Sequence, residues 1–117
     1  MNDSIDPKDY ADQLDTQMRK GFLVYCVLLI CSHGNVYSSD IIKKLSAASL
    51  VVVEGTIYPL LSRLQKDGML LHDWQESPQG PPRKYYRVSE TGQKLLEELK
   101  KTNLQLQTTI NSIERKK

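Results

Sequence analysis

Apolar residues recur every three or four positions through the first quarter of the chain, which predicts a long helix. Asp6 and Pro7 are typical of the start of this helix, and Gly34 is typical of its end. After Phe22 the helix is apolar on every side, so it must be buried on every side. One chain of 117 residues seldom encloses a helix completely, and a second subunit is therefore expected. The periodic positions are Tyr10, Leu14, Met18, Phe22, Tyr25 and Leu29.

Two shorter helices and a connector are predicted in the middle of the chain. The first helix starts at Ser38 or Ser39, with Tyr37 placed to pack against Ile42 as a hydrophobic staple. The β-branched segment 50–53 is too short for a helix and predicts a short strand or an extended connector.

The second of these helices is predicted from Glu54 to Asp67 and is closed by Gly68. Its leucines repeat at helical spacing and form the face that would be buried. Pro59 is placed near its first turn, where a missing N–H has little cost.

A hairpin and a final helix are predicted in the second half of the chain. The strands are 69–74 and 83–88, and the turn formers at 76–82 are not expected to pair internally. The last helix opens at Ser89 and runs to Lys117. Its seam repeats in alternating steps of three and four, which is typical of helices that pair with another helix. The seam is formed by Leu96, Leu99, Asn103, Leu106, Ile110 and Ile113.

This order of elements predicts a mainly helical fold with a small β-hairpin: a winged helix-turn-helix domain followed by a long C-terminal dimerisation helix. We divide the chain into an acidic N-terminal segment at 1–15, where the first helix starts, a winged helix-turn-helix domain at 16–89 and a C-terminal dimerisation helix at 90–117. The expected homodimer interface consists of Phe22, Cys26, Leu99, Asn103, Leu106, Ile110 and Ile113.

Composition and charge favour a globular protein over a disordered or membrane protein. Hydrophobic residues make up 39% of the chain and charged residues 26%. The longest apolar run, 22–31, is about half of a bilayer span. Because the N-terminus is acidic and polar, unlike a secretory signal, we expect a cytoplasmic protein that does not associate with a membrane. Residues 1–15 carry five Asp against one Lys, whereas 16–91 carry nine Lys and Arg against six acidic residues. This basic body permits a polyanionic partner without requiring one.

The polar residues indicate neither catalysis nor a metal. His33 and His72 have no Cys or His neighbour at metal-ligand spacing, and no catalytic triad, carboxylate pair or phosphate loop is recognisable. We therefore expect no enzymatic activity, no cofactor and no metal. Cys26 and Cys31 would point about 140° apart on a helix, too far for a mutual disulfide. Cys31, near the helix end, is a candidate redox-sensitive thiol, with simple packing as the alternative.

The polar face of the third predicted helix carries chemistry suited to DNA. Hydroxyls and cations opposite the leucines fit phosphates and base edges. The stiff hairpin tip is flanked by Arg83 and Lys84, which suit the DNA backbone or minor groove. The expected partner is double-stranded DNA with a palindromic operator, and solvated charges are the alternative. The expected contacts are Thr56, Tyr58, Ser62, Arg63, Lys66, Arg83 and Lys84.

Several segments resemble the PadR family of bacterial transcription regulators. They read GTIYPLLSRL at 55–64, KDG at 66–68, RKYYRVS at 83–89 and TG at 91–92, with Trp74 between them. The resemblance covers about residues 19–96 and fits the small subfamily, which has a single C-terminal helix. It implies a homodimeric winged-helix repressor that dimerises through its first and last helices. Val53 stands where a polar helix cap is common, which leaves Thr56 as the alternative cap.

The resemblance also raises the question of an effector. Small apolar or phenolic effectors are known for some members, and such a ligand at the dimer interface is a further expected partner. Trp74 is the aromatic candidate, with hairpin-to-helix packing as its alternative role. The last helix contains no aromatic residue, which argues against a flat ligand held between rings at the dimer centre. The alternative function is a winged-helix module that binds proteins and not DNA, supported by the net charge of only +2.

Overall fold

Residues 5–115, the part of the chain that the computed structural model describes, form four helices and three strands. The elements are α1 (Pro7–Cys31), β1 (Val36–Tyr37), α2 (Ser38–Ala47), α3 (Glu54–Lys66), β2 (Leu70–Ser77), β3 (Gly80–Val88) and α4 (Glu90–Arg115). The predicted mainly helical fold, with a winged hairpin and a long last helix, is confirmed. The predicted continuation of the last helix to Lys117 lies outside the described residues.

The start of α1 follows the sequence signals. The Asp6 carboxylate accepts a hydrogen bond from the Lys8 N–H at 3.3 Å, and Pro7 occupies the first helical position. The helix ends at Cys31, where the Ser32 hydroxyl donates to the Leu29 carbonyl at 2.6 Å. The connection to β1 then turns through a residue with φ of +129°, Gly34, a conformation that favours glycine.

The sheet contains one strand more than the predicted hairpin. Its order is β1-β3-β2, and both pairings are antiparallel. Val36 lies opposite Tyr86, and Tyr37 lies opposite Tyr85. A strand of two residues is too short to show alternation, so the sequence pattern gives no sign of β1. Tyr37 is thus a strand residue as well as the residue that precedes α2.

The hairpin is longer than predicted. The strands continue into the segment 76–82, which was not expected to pair, and there Ser77 lies opposite Gly80. Only residues 78–79 remain as the turn. Two features tolerate Pro81 and Pro82 in β3: the register shift between Gln75 and Ser77 leaves both prolines out of the pairing with β2, and β1 does not extend beside them.

Two details of α3 differ from the sequence prediction. Val53 is the residue before the helix and makes no capping bond with its side chain, whereas Thr56 lies inside the first turn, so the prediction of a Thr56 cap is wrong. Pro59 is the sixth helical residue rather than a first-turn residue. Because proline has no N–H, the Gly55 carbonyl receives no helical hydrogen bond from it. The end of the helix is as predicted, with Gly68 at φ +82°.

The core lies where α1, α2 and α3 meet. Leu70 attaches the sheet to this core, and Leu96 attaches the first turns of α4. The segment 50–53 is an extended connector, as one of the two predictions stated. Fully buried side chains include Val27, Leu28, Cys31, Ile41, Ile57, Leu61, Leu70 and Leu96.

The base of the hairpin is fastened to the start of α4. The hydroxyl of Ser89, a buried residue, donates to the Gly68 carbonyl at 2.6 Å and accepts from the Gly92 N–H at 2.9 Å. The Ser89 N–H donates to the Met69 carbonyl at 3.0 Å. Ser89 is therefore hydrogen-bonded to residues at the end of α3, at the start of β2 and in the first turn of α4.

None of the helices between residues 5 and 115 is long and apolar enough to cross a membrane.

Candidate functional site

The outer face of α3 gathers all five helix residues that were predicted to contact DNA. The inner face is formed by Ile57, Leu61 and Leu64, which are buried. The predicted residues occupy the opposite arc and are exposed: Thr56, Tyr58, Ser62, Arg63 and Lys66. The structure therefore separates a core face from a face of hydroxyls and cations on one helix.

Within that arc the side chains form two edges. At 100° per residue, Tyr58 and Ser62 lie one turn apart along one edge of the helix, and Arg63 lies along the other. Lys66 stands between the two edges, near the C-terminal end. This spread of donors is wide enough to meet a phosphate on each side and base edges between them.

The two predicted wing cations do not lie side by side. Arg83 and Lys84 are consecutive residues of β3, so their side chains leave opposite faces of the sheet. The Arg83 guanidinium lies 4.9 Å from the centre of the Tyr37 ring. The Lys84 ammonium lies 5.3 Å from the centre of the Tyr86 ring. Each cation therefore rests on a different aromatic ring.

The cations among these predicted contacts have no ion-pair partner in the part of the chain that the structure describes. Ion pairs among residues 5–115 involve Lys8, Arg19, Arg87 and Lys101, and none involves Arg63, Lys66, Arg83 or Lys84. Arg87 shows the contrast, because its guanidinium is 3.2 Å from the Asp73 carboxylate. Cations without carboxylate partners are suited to binding phosphates.

A groove of about 710 Å³ lies between α1 and α4. Its α1 wall contains Met18, Phe22 and Tyr25, and its α4 wall contains four of the residues predicted for the dimer interface: Leu99, Asn103, Leu106 and Ile110. Phe22, also predicted for that interface, is 50% exposed. The groove therefore presents apolar side chains that the described part of this chain leaves uncovered.

The other predicted interface and effector residues lie elsewhere. Cys26 is half-buried against the core, and Ile113 is exposed on α4 beyond the groove. Trp74 is 63% exposed on the hairpin, with its ring edge-on to His72 at 6.2 Å. The structure does not bring Trp74 to the groove, and its exposure shows that the alternative prediction of hairpin-to-helix packing is wrong.

Burial disfavours the thiolate form of both cysteines. It raises the pKa of the Cys31 thiol from 9.0 to about 12, and it raises the pKa of Cys26 in the same direction. Because the thiolate is the nucleophile, a redox role for Cys31 is not supported. No group of His, Cys, Asp or Glu within residues 5–115 is arranged to hold a metal ion.

Sequence reasoning did not find the part that Tyr37 plays at this site. Its ring stacks against Tyr85 with centres 5.6 Å apart and lies beneath Arg83. The three residues are brought together only by the pairing of β1 with β3, which joins positions 48 residues apart. No local pattern could have shown this.

Three helices followed by a hairpin, with a polar face on the third helix, define the winged-helix class of DNA-binding regulators. Residues 27–98 match the Transcriptional regulator PadR-like family, and the chain belongs to that family. The resemblance in the sequence is thereby confirmed. PadR-like regulators are DNA-binding proteins, and transcriptional regulators are generally not enzymes.

Solved structures of similar chains agree with this assignment. A PadR-like transcription factor from Bacteroides fragilis is 50% identical with a TM-score of 0.75, covering 86% of this chain and 98% of that chain. A PadR-like transcriptional regulator from Bacillus cereus is 37% identical with a TM-score of 0.76, covering 86% and 99%. A PadR family regulator from Eggerthella lenta is 26% identical with a TM-score of 0.82, covering 94% and 96%. No curated protein matches the chain.

Proposed function

We propose that this PadR-like regulator is a homodimeric repressor that binds a palindromic operator controlling its own and neighbouring genes. The observation that carries the proposal is the outer face of α3. It presents hydroxyls, and cations without an ion-pair partner among residues 5–115, on the side opposite a buried core face. In helix-turn-helix proteins the corresponding helix enters the major groove with its N-terminal residues near the base edges.

The proposed division of labour follows from chemistry and position. Thr56 and Tyr58, near the N-terminus of α3, would set the register of the helix in the major groove. Arg63 and Lys66 would bind phosphates at its sides, because their charges have no partner among the described residues. Ser62 lies one turn from Tyr58 and would donate to a phosphate or a base edge.

The wing would add contacts outside the major groove. Arg83 lies on β3 beyond the residues that pair with β1, and its side chain is exposed. Lys84, on the opposite face of the sheet, would reach a different phosphate. A thin hairpin with a cation on each side can contact two phosphates of the DNA backbone.

The proposed dimer covers the apolar faces of α1 and α4. Phe22, Leu106, Ile110 and Ile113 are half-exposed or more in the single chain. Exposed apolar side chains that are continuous along two helices mark an interaction site. Asn103 lies on the same face, where a single amide would fix the register and the number of chains. A second copy also brings a second α3, which a palindromic operator requires.

The groove between α1 and α4 is also the proposed site for an effector. The groove between α1 and α4 has a volume within the range of small-molecule sites, and its walls are mainly apolar. Phe22 and Tyr25 supply aromatic rings from α1, which offsets the lack of aromatic residues on α4. We propose that any part of the groove left open by the second copy would bind a small apolar or phenolic compound.

The test is a mobility-shift measurement on the DNA upstream of the gene, at two salt concentrations. A specific shift that weakens at the higher salt is expected, because phosphate contacts release counterions. An absent shift, or one that salt does not change, would favour a protein-binding module instead. A matched duplex with its half-sites scrambled provides the control for sequence-specific binding.

A further inference from the structure

Three side chains form a stack on the outer face of the sheet. The Tyr37 and Tyr85 rings are 5.6 Å apart and tilted by 39°. The carbon at the centre of the Arg83 guanidinium lies 4.9 Å from the Tyr37 ring centre. The arrangement follows from the register, because Tyr37 pairs with Tyr85, and Arg83 precedes Tyr85 by two residues on the same face.

The ring under Arg83 belongs to a well-anchored residue. Tyr37 is hydrogen-bonded into the sheet through β1 and is also the residue from which α2 starts. Its side chain is half-buried. The Tyr37 ring is therefore held in a fixed position. The Arg83 side chain, by contrast, is exposed and has several rotatable bonds.

We propose that Tyr37 is a positioning residue for DNA binding: its ring holds the Arg83 guanidinium in place for a phosphate of the DNA backbone. The inference rests on the proposed function. A guanidinium stacks through its face and keeps its N–H donors in its plane, so stacking leaves the donors free for an anion at the edge. Because the side chain is ordered before DNA arrives, less rotational freedom is lost on binding.

A second arginine on the same face of β3 has a different kind of partner from Arg83. Arg87 also points away from the core, but its guanidinium is bound to Asp73 at 3.2 Å. Arg83 has no carboxylate partner within residues 5–115 and has an aromatic ring in its place. A ring orders a cation without neutralising it, which is what a phosphate contact requires.

A double-mutant cycle tests the inference. Wild-type protein first selects its preferred duplex from a random-sequence library, and dissociation constants for that duplex are then measured by fluorescence anisotropy across a salt series. Tyr37→Leu is expected to weaken binding about fivefold or more, since a dimer carries two such stacks. The salt slope should not change, because the charge of Arg83 is retained. Tyr37→Phe keeps the ring and should bind like wild type.

The background variants distinguish positioning from a structural effect. In an Arg83→Ala background, Tyr37→Leu should have almost no further effect, because the group it positions is gone. In a Lys66→Ala background the full effect should remain, because Lys66 lies on α3 away from the stack. Equal weakening by Tyr37→Leu in both backgrounds would overturn the inference, as would wild-type affinity in Tyr37→Leu.

Arg83→Lys replaces the planar guanidinium without touching β1 and serves if Tyr37→Leu does not fold. It keeps the charge but removes the planar group, so it should weaken binding about as much as Tyr37→Leu with an unchanged salt slope. Wild-type affinity in Arg83→Lys contradicts the inference. If wild-type protein selects no duplex at all, both the proposed function and the inference fail. If the protein binds DNA but the effects of Tyr37→Leu and Arg83→Ala on affinity simply add, only the inference fails.

Discussion

A methyl group on Gly92 would overlap the carbonyl oxygen of Met69. The same methyl group would lie 2.6 Å from the Val88 side chain, so it would clash with a side chain as well as with the backbone. The first turn of α4 approaches the base of the hairpin as closely as two backbones allow, and only glycine permits this approach.

Gly92→Ala is therefore expected to destabilise the protein by about 2–3 kcal/mol, because the backbone must move to admit the methyl group. Gly55→Ala is the matched control, since a methyl group there meets no atom within 4 Å. It should leave the free energy of unfolding unchanged or raise it by about 0.5–1 kcal/mol. Urea unfolding of the two variants measures the difference, and equal stabilities would contradict the close approach.

Arg63→Ala and Lys66→Ala should each weaken DNA binding across sequences and lower the salt slope by about two per dimer, because each of the two subunits then leaves one phosphate without its cation. Arg87→Ala is the control, because that arginine is already paired with Asp73 and should leave the slope unchanged. Binding titrations at several salt concentrations give the slopes. If both α3 variants keep the wild-type slope while remaining folded, the assignment of this helix face to DNA is wrong.

Replacing both Leu106 and Ile110 by lysine should convert the protein to a monomer, because two charges would face the apolar side chains of the partner. Tight operator binding should be abolished at the same time, since one α3 cannot occupy two half-sites. Sedimentation velocity gives the mass, with Lys101→Ala, an exposed change elsewhere on α4, as the control that stays dimeric. A double variant that remains a dimer with full affinity excludes this interface.

The buried thiol of Cys31 should make stability fall with rising pH. Its pKa is raised from 9.0 to about 12 in the folded protein, so the folded state keeps a proton that the unfolded state has released. Between about pH 9 and 12 this difference lowers the free energy of unfolding by up to about 1.4 kcal/mol per pH unit. Cys31→Val removes the thiol, so the wild type should become less stable relative to this variant above pH 9. Parallel pH dependence of the two proteins contradicts the burial effect.

The sequence was sufficient for elements whose signals are local. Asp6 and Pro7 identified the start of α1, and the leucines of α3 identified both its buried face and its exposed one. The proline-rich tip misled the strand prediction, because whether a proline is tolerated in β3 depends on the register of β3 against β2 and on how far β1 extends beside it.

The contacts that the sequence could not predict are those between distant positions. Tyr37 reads as a helix-flanking hydrophobic residue, and nothing near it in the chain indicates Arg83 as its neighbour. The separation of Arg83 from Lys84 onto opposite faces required only the alternation of a strand, and it became clear once β3 was known to include both residues. Trp74 shows the reverse case, since an aromatic residue that suggests packing lies mostly in solvent.

The hydrogen bond from the Ser89 hydroxyl to the Gly68 carbonyl fixes one end of α4, so a small tilt there moves the far end of the helix by several ångströms. From Glu90 to Leu106 the helix is about 24 Å long, so a tilt of about 8° at the fastened end displaces the far end by about 3.4 Å. That displacement equals the rise of one base step in DNA. If two copies are joined along α4, a small rotation at this serine changes the distance between the two α3 helices by a comparable amount. The Ser89 hydroxyl therefore fixes the angle at which α4 leaves the wing, and in a dimer joined along α4 that angle would set the half-site spacing.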